Sequence, residues 1–383
     1  MNILTLNKIS KIGTTRLGDQ YTVGDDVKNP EGILVRSANM HEYETPESLL
    51  AIARAGAGVN NIPVDACAEK GIVVFNTPGA NANAVKELAI AALLLSSRNI
   101  VDGIKWAEGL TGDDVAKQVE KGKSQFVGPE IMGKKLGVIG LGAIGVHVAN
   151  AAQALGMKVY GQDPFLSIKS AWNLSNNVQM ATLAEIYAEC DYISIHAPLT
   201  PDTKEFINKT SIALMKDGVR ILNLARGGLV NNADMAAALE EGKVAKYVTD
   251  FPDAEVLAMK NALCIPHLGA STPESEDNCA IMAVDQMKEY LEHGNIINSV
   301  NFPNTEMARS GKNRICIIHK NIPAVLSSIS GAIAEDGINI SNMTNRSKGD
   351  FAYTIVDCDS DVSEDNVKDI SNIEGILRVR VLK

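Results

Sequence analysis

Leu136-Gly-Val-Ile-Gly-Leu-Gly-Ala-Ile-Gly145 decides how this chain is read. The apolar run Leu136–Ile139 ends in Gly140-Leu-Gly-Ala-Ile-Gly145, and an alanine-rich apolar helix, Val146–Leu155, follows. The next apolar stretch, Met157-Lys-Val-Tyr160, leads to Asp163, 23 residues past Gly140. Strand, glycine turn, helix, strand and acid in that order specify a dinucleotide site. Gly140 permits the tight turn, Gly142 lets the backbone approach a pyrophosphate, and Gly145 lets helix and strand pack closely. The helix N-terminus offers unpaired N–H groups and a partial positive charge to the phosphates. Asp163 would accept hydrogen bonds from the adenosine ribose and repel a 2′-phosphate, so NAD is expected over NADP.

Around this motif, from Lys135 to His267, apolar runs alternate with helical segments. The runs are Leu136–Ile139, Met157–Tyr160, Tyr192–Ile195, Val219–Leu224, Val244–Thr249 and Leu263–Ile265; helices are expected at Leu183–Ala188, Ser211–Met215 and Asp234–Glu241. That alternation reads as a doubly wound parallel (Rossmann) sheet, whose ligands sit at the carboxyl ends of the strands. A second, flavodoxin-like α/β region precedes it, with strands at Ile3–Leu6, Ile33–Val35 and Ile72–Phe75. Helical patterns at Ala84–Ile100 and Glu274–Glu292 carry the chain out and back, so the Rossmann sheet is inserted into the first domain and the active site is expected in the cleft between them. The expected domains are 1–95 with 280–303, 96–279, and 312–383. Residues 302–313 are polar and turn-rich and read as a linker, making the last unit an appendage removable near Met307. Beyond it the pattern is strand Arg314–His319, helix Pro323–Glu335, strands Ile338–Met343 and Phe351–Asp357, helix Val362–Asn372 and strand Ile376–Val381, a ferredoxin-like βαββαβ unit.

Bulk properties bound the function. With 383 residues, 45% hydrophobic, the chain reads as two or three globular domains. Leu88–Leu95, flanked by Glu87 and Arg98, is too short to span a membrane, and Met1-Asn-Ile-Leu-Thr-Leu6 shows no signal-peptide pattern. A net charge of −10 argues against nucleic acid and requires that any anionic substrate meet locally concentrated Arg and Lys. Six cysteines, none in a C-x-x-C pair, read as buried apolar residues in a reducing cytoplasm, with no metal site.

Three polar residues fall at or just past strand ends of the Rossmann region: Arg226 in Asn223-Leu-Ala-Arg-Gly-Gly228, Glu255 beyond Val248-Thr-Asp250, and His267 in Pro266-His-Leu-Gly-Ala-Ser271. Imidazole, titrating near neutrality, suits acid/base work, and the planar guanidinium fork suits a carboxylate.

These motifs, with Arg54-Ala-Gly-Ala-Gly-Val-Asn-Asn61, Asn76-Thr-Pro-Gly-Ala-Asn81, Glu87-Leu88, His196-Ala-Pro-Leu-Thr200 and Pro266-His-Leu-Gly-Ala-Ser-Thr272, resemble the D-isomer-specific 2-hydroxyacid dehydrogenases over nearly the whole length. The resemblance implies that His267 is the acid/base and that Arg226 binds the substrate carboxylate and carbonyl oxygen. Glu255 would orient His267 and favour its charged form, with Asp253 as the alternative because the stretch 250–255 departs from the commoner family segment. Thr77, Leu224, Ala225, Arg226, Asp250, His267, Gly269 and Ala270 are implied on the nicotinamide half. Gly140, Gly142, Ala143, Ile144, Gly145, Asp163 and Ala197 are implied on the pyrophosphate and adenosine side. The C-terminal unit resembles ACT domains, which pair to bind an amino acid, and implies L-serine at His319, Asn321 and Asn339; Ala324 stands where a glycine is usual. A dehydrogenase with such a unit implies 3-phosphoglycerate as substrate, its phosphate met by Arg36, Ser37, Arg54, Gly56 and Lys86, in a homodimer or homotetramer. The alternatives are another 2-hydroxy acid (glycerate, lactate or 2-hydroxyglutarate) or a non-catalytic NAD-sensing scaffold.

Overall fold

The computed structural model describes residues 1–383. Two compact units divide them: Met1–Asn81 with Pro273–Lys383, and Ala82–Thr272. The changeovers fall where helices Ala82–Arg98 and Pro273–His293 begin, earlier than the sequence suggested at both points. Each helix supplies core residues to the unit that it opens. Ala89, Ala92 and Leu93 join the core of the second unit, and Ala283, Val284 and Met287 join that of the first. No helix is long and apolar enough to cross a membrane.

In the Ala82–Thr272 unit the strands follow in order. They are β6 (Lys135–Ile139), β7 (Lys158–Gln162), β8 (Gln179–Met180), β9 (Tyr192–Ile195), β10 (Val219–Asn223), β11 (Val244–Thr249) and β12 (Ala262–Cys264), numbered after five strands in the other unit. They form one sheet in the order β12-β11-β10-β9-β6-β7-β8, every pairing parallel. The order reverses between β6 and β9, the crevice where such sheets bind ligands. β9 is buried at all four residues, as covering a parallel sheet on both faces requires. The helix expected at Ala84–Ile100 runs Ala82–Arg98; it stops at Asn99, whose φ of 50° is left-handed, and a further helix, Ile100–Glu108, follows that the sequence did not suggest.

The other unit opens with β1 (Asn2–Leu6), β2 (Thr22–Gly24), β3 (Gly32–Val35), β4 (Ala51–Arg54) and β5 (Val73–Phe75). They form a parallel sheet in the flavodoxin-like order β2-β1-β3-β4-β5. The C-terminal βαββαβ unit has β13 (Asn313–Lys320), β14 (Ile340–Lys348), β15 (Phe351–Cys358) and β16 (Ile376–Leu382) in an antiparallel sheet, β14-β15-β13-β16.

The two central strands of this last sheet, β13 and β15, are buried on both faces. Ile315, Ile317, Val356 and Cys358 pack with Val325, Ile329 and Ile333 of helix Val325–Glu335 and Ile370 of helix Glu364–Ser371. The alternate residues Cys316, Ile318, Tyr353 and Ile355 share a core with Phe75, Tyr290, Leu291 and Phe302. Polar ties surround this contact. The Tyr353 hydroxyl donates to the Gly294 carbonyl (2.6 Å), Arg380 to that of Leu291 (2.9 Å), and Arg378 to that of Leu49 (2.9 Å). Residues 302–313 are therefore not a free linker. Phe302, Thr305 and Met307 are buried, and Thr305 pairs with Ile296.

Candidate active site

Steric demands separate the three glycines after β6. Gly140 has φ +91°, and a Cβ there would lie 2.7 Å from the His196 carbonyl carbon and 2.8 Å from the Ala197 nitrogen. A Cβ on Gly145 would come within 1.9 Å of the Gly140 oxygen. At Gly142 nothing lies within 4 Å. Two glycines thus serve the chain's own packing, and the middle one opens onto space that a phosphate could enter. Helix Ala143–Ala154 begins at Gly142 with no side chain capping it, so its first amides face that space unused. The flanking His196 donates to or accepts from Ser194 Oγ (2.8 Å), and burial pushes its imidazole down to about 4, leaving it neutral at physiological pH.

Asp163 closes β7 and braces the turn. Its Oδ2 accepts from the Leu141 amide and its Oδ1 from the Phe165 amide, both at 2.8 Å. Each oxygen keeps a lone pair for ribose hydroxyls. At the far side of the crevice Asp250 is buried after β11, with Oδ1 lacking any partner. Burial pushes its carboxyl up, against the fields of His267 and Arg226 and a hydrogen bond from the Gly269 amide. A buried acceptor left open costs stability unless a ligand fills it, and the carboxamide N–H of a nicotinamide is such a donor. The residues present therefore fit NAD at both ends.

Arg226 and His267 are exposed, on loops after β10 and β12. Buried Asn223 holds the first loop: its Nδ2 donates to the Arg226 carbonyl (2.9 Å), and its Oδ1 accepts from the Ala225 and Arg226 amides (3.3 and 3.4 Å). The Arg226 guanidinium donates back to the Ala225 carbonyl (2.7 Å). Phe251 lies between the two loops, 4.7 Å between ring centroids from His267 and 3.7 Å from where a Gly227 Cβ would stand. Neither carboxylate considered for His267 is hydrogen-bonded to it. Asn232 Nδ2 donates to both, at 3.0 Å to Asp253 Oδ2 and 3.1 Å to Glu255 Oε2, and Asp253 Oδ1 caps helix Ala254–Leu257 at the Val256 amide (2.8 Å). Sequence reading left Asn223 and Phe251 without roles. A polar residue inside the run Val219–Leu224 was the available signal for the first; nothing in the sequence singles out the second.

The cationic residues divide between the units. In the first, Arg54 Nε donates to the Arg36 carbonyl (2.9 Å), and its guanidinium lies against the glycine turn: a Cβ on Gly58 would stand 2.7 Å from Arg54 Nη1, one on Gly56 3.6 Å from Cζ. Arg36 pairs with Glu276 (2.8 Å), and the amides of Arg36, Ser37 and Ala38 converge on Asn7 Oδ1 at 3.3, 3.0 and 2.8 Å. Beneath them, burial pushes the Cys279 thiol up, while Thr77 and Ser275 hydrogen bonds and the fields of Arg36 and Arg54 oppose it. Lys86 belongs to the other unit, on helix Ala82–Arg98, 3.6 Å from Glu87.

The three serine positions do not converge on a common space. His319 is buried, Nδ1 bonded to the Lys320 carbonyl (2.7 Å) and Nε2 to Thr354 Oγ1 (2.9 Å). Burial lowers its pKa, opposed by its bonds to Lys320 and Asn345. Exposed Asn321 donates to the Gly349 carbonyl (3.1 Å), and exposed Asn339 to Asp359 (2.8 Å).

Residues 90–269 match the family described as D-isomer specific 2-hydroxyacid dehydrogenase, NAD binding domain. The D-3-phosphoglycerate dehydrogenase of Escherichia coli (strain K12) is 32% identical over 349 residues, covering 88% of this chain and 82% of that protein. The enzyme of the same name from Haemophilus influenzae is 30% identical over 354 residues, again covering 88% and 82%. Among solved structures, the NAD+-bound 3-phosphoglycerate dehydrogenase of Entamoeba histolytica is similar with a TM-score of 0.61 and 27% identity, covering 79% of this chain and 98% of that one. The chain belongs to the D-isomer-specific 2-hydroxyacid dehydrogenases, oxidoreductases that use NAD, and residues 90–269 are its NAD-binding domain.

Proposed function

We propose that this dehydrogenase oxidises D-3-phosphoglycerate to 3-phosphohydroxypyruvate. The observation that carries the choice of substrate is the Arg54 guanidinium lying against the Gly56–Gly58 turn and tied to the Arg36 carbonyl, a cation held at a glycine turn in a chain of net charge −10. Lys86 is assigned to the same phosphate. Arg226 holds the substrate carboxylate and the 2-oxygen through its planar fork. His267 removes the 2-hydroxyl proton as the carbonyl forms. NAD+, when bound, accepts the hydride from C2. Asp250 would hold the carboxamide; Thr77, Leu224, Ala225, Gly269 and Ala270 are assigned to the nicotinamide half, and Gly142, Ala143 and Ile144 to the pyrophosphate. Glu255 is assigned to orient His267, with Asp253 as the alternative.

The test is NADH formation from a panel of 2-hydroxy acids. The phosphorylated acid should show the highest kcat/KM, and His267→Ala should lower turnover by about 100-fold or more while NAD still binds. Higher kcat/KM for lactate, glycerate or 2-hydroxyglutarate refutes the substrate; wild-type turnover in the histidine variant refutes the mechanism. The Arg36–Glu276 pair is the one observation favouring a substrate with an uncharged tail, since Glu276 already neutralises that cation.

For the C-terminal unit the reading is an L-serine site at Asn321 and Asn339 between paired copies of a homodimer or homotetramer, with His319 supporting it from within the sheet. It rests on the ferredoxin-like topology and the exposed edge strand β14. Calorimetric titration with serine tests it, and no heat of binding refutes it.

A further inference from the structure

We infer that Asn223 is the positioning residue for Arg226, and that its carboxamide fixes where the substrate carboxylate can sit. The inference rests on the reading of Arg226 given above. Asn223 is the last residue of β10 and 1% exposed, at the floor of the cavity that Gly227, Gly228 and Phe251 also line. Its one amide does two things at once. Oδ1 gathers the Ala225 and Arg226 N–H groups, and Nδ2 donates to the Arg226 carbonyl at 2.9 Å with Tyr247 Oη at 3.5 Å. The turn is thereby tied through both N–H and C=O of the residue that must aim its side chain. Immediately beyond stand Gly227 and Gly228, the latter at φ +82°, so the chain after Arg226 supplies no stiffness of its own. The guanidinium closes on the Ala225 carbonyl of the same turn, so a shift of the turn carries it along. Phe251, packed on Gly227 and on the His267 ring, extends the same constraint to the base.

Only asparagine meets these demands. Leucine would fill the volume and leave two amides and a carbonyl without partners. Aspartate would keep the acceptor, lose the donor, and place a charge at a nearly sealed site. Displacing a positioning group by about 1 Å costs up to about 100-fold in rate. Asn223→Ala and Asn223→Asp should each raise the KM for the hydroxy acid and lower kcat/KM about 10-fold or more, with the Kd for NADH within about twofold of wild type.

A general loosening of the fold would lower activity in any background. A residue acting through Arg226 would not. In Arg226→Ala, the further change Asn223→Asp should therefore alter kcat/KM by less than about twofold. Wild-type kinetics in Asn223→Asp beside an impaired Arg226→Ala overturn the inference, as does a full additional loss in the double variant. Wild-type kinetics in Arg226→Ala itself overturn instead the reading of Arg226. The isosteric aspartate variant keeps the test decisive should alanine at this buried position fail to fold.

Discussion

Replacing Asp357 by asparagine takes one charge out of a pair sealed inside the C-terminal unit. Arg314 Nε and Nη2 reach Asp357 Oδ1 and Oδ2 at 2.6 and 2.9 Å, with side-chain exposures of 1% and 0%. The carboxylate also accepts from the Ser310 amide (2.8 Å), and Arg314 Nη1 donates to the carbonyl of His293, the last residue of helix Pro273–His293 (2.8 Å). Asparagine would retain one acceptor and turn an N–H group toward donors, leaving a buried guanidinium uncompensated. Breaking such a pair costs about 3–5 kcal/mol. The unit that holds it has 192 residues, 81 and 111 from the two segments. At roughly 2–4 °C per kcal/mol for units of that size, the melting temperature should fall by about 6–20 °C. Scanning calorimetry measures it. The pH dependence has a definite sign. Burial alone pushes the Asp357 carboxyl up, but Arg314 and Ser310 outweigh it and hold the group below the ordinary carboxylate value. This stability is complete above the unfolded-chain pKa and is lost as pH falls through the depressed folded value, so the gap between wild type and variant should close on acidification. Arg314→Met with Asp357→Leu should recover most of the loss, because apolar replacement of a buried pair is often neutral or stabilising. A single variant within about 1 kcal/mol of wild type, below the cost expected of a broken buried pair, refutes the reasoning.

Three further outcomes follow from the geometry. Ending the chain after Met307 uncovers the face of Tyr290, Leu291 and Phe302 that Cys316, Ile318, Tyr353 and Ile355 cover, so the truncated protein should be recovered aggregated rather than as active enzyme; a soluble, active product contradicts the shared core. Ala324 sits at φ +68°; that conformation costs about 1–2 kcal/mol in a non-glycine residue, of which glycine's freer unfolded chain returns about 0.4–1. Ala324→Gly should therefore stabilise the protein slightly in urea titration, and a destabilised variant would show that the strain is absent. Asp250→Asn removes a carboxyl whose pKa burial has raised, so it should melt higher than wild type near neutral pH, with the gap closing as pH falls and the wild-type group protonates, while NAD binds more weakly; an unchanged melting temperature refutes the desolvation argument.

What the sequence disclosed was whatever depends on neighbours along the chain. The glycine turn, Asp163 at the end of β7 and the strand–helix alternation are local constraints, and their residues can be read in order. Helix Ile100–Glu108 escaped because Asp102, Gly103 and Lys105 interrupt its apolar pattern. β2 and β8, three and two residues long, are too short to show alternation. The partner of Glu255 is Asn232, 23 residues away and on another helix, which spacing cannot reveal. The burial of β13 on both faces was legible in principle. Ile315-Cys-Ile-Ile318 is apolar without alternation, the mark of a strand covered on both sides. The polar composition of 302–313 hid what that run met.

The core that Ile3, Leu34 and Phe75 share with Tyr290, Phe302 and Tyr353 has a consequence for synthesis. Tyr353 is made 272 residues after Asn81, a wait of about 15–55 s at roughly 5–20 residues per second. The Ala82–Thr272 unit is one uninterrupted stretch and can close on itself as it leaves the ribosome. The amino-terminal sheet cannot. It spends that interval with its apolar side uncovered, so the first residues translated are among the last to reach their final packing, and they are the part of the nascent chain that most needs a chaperone.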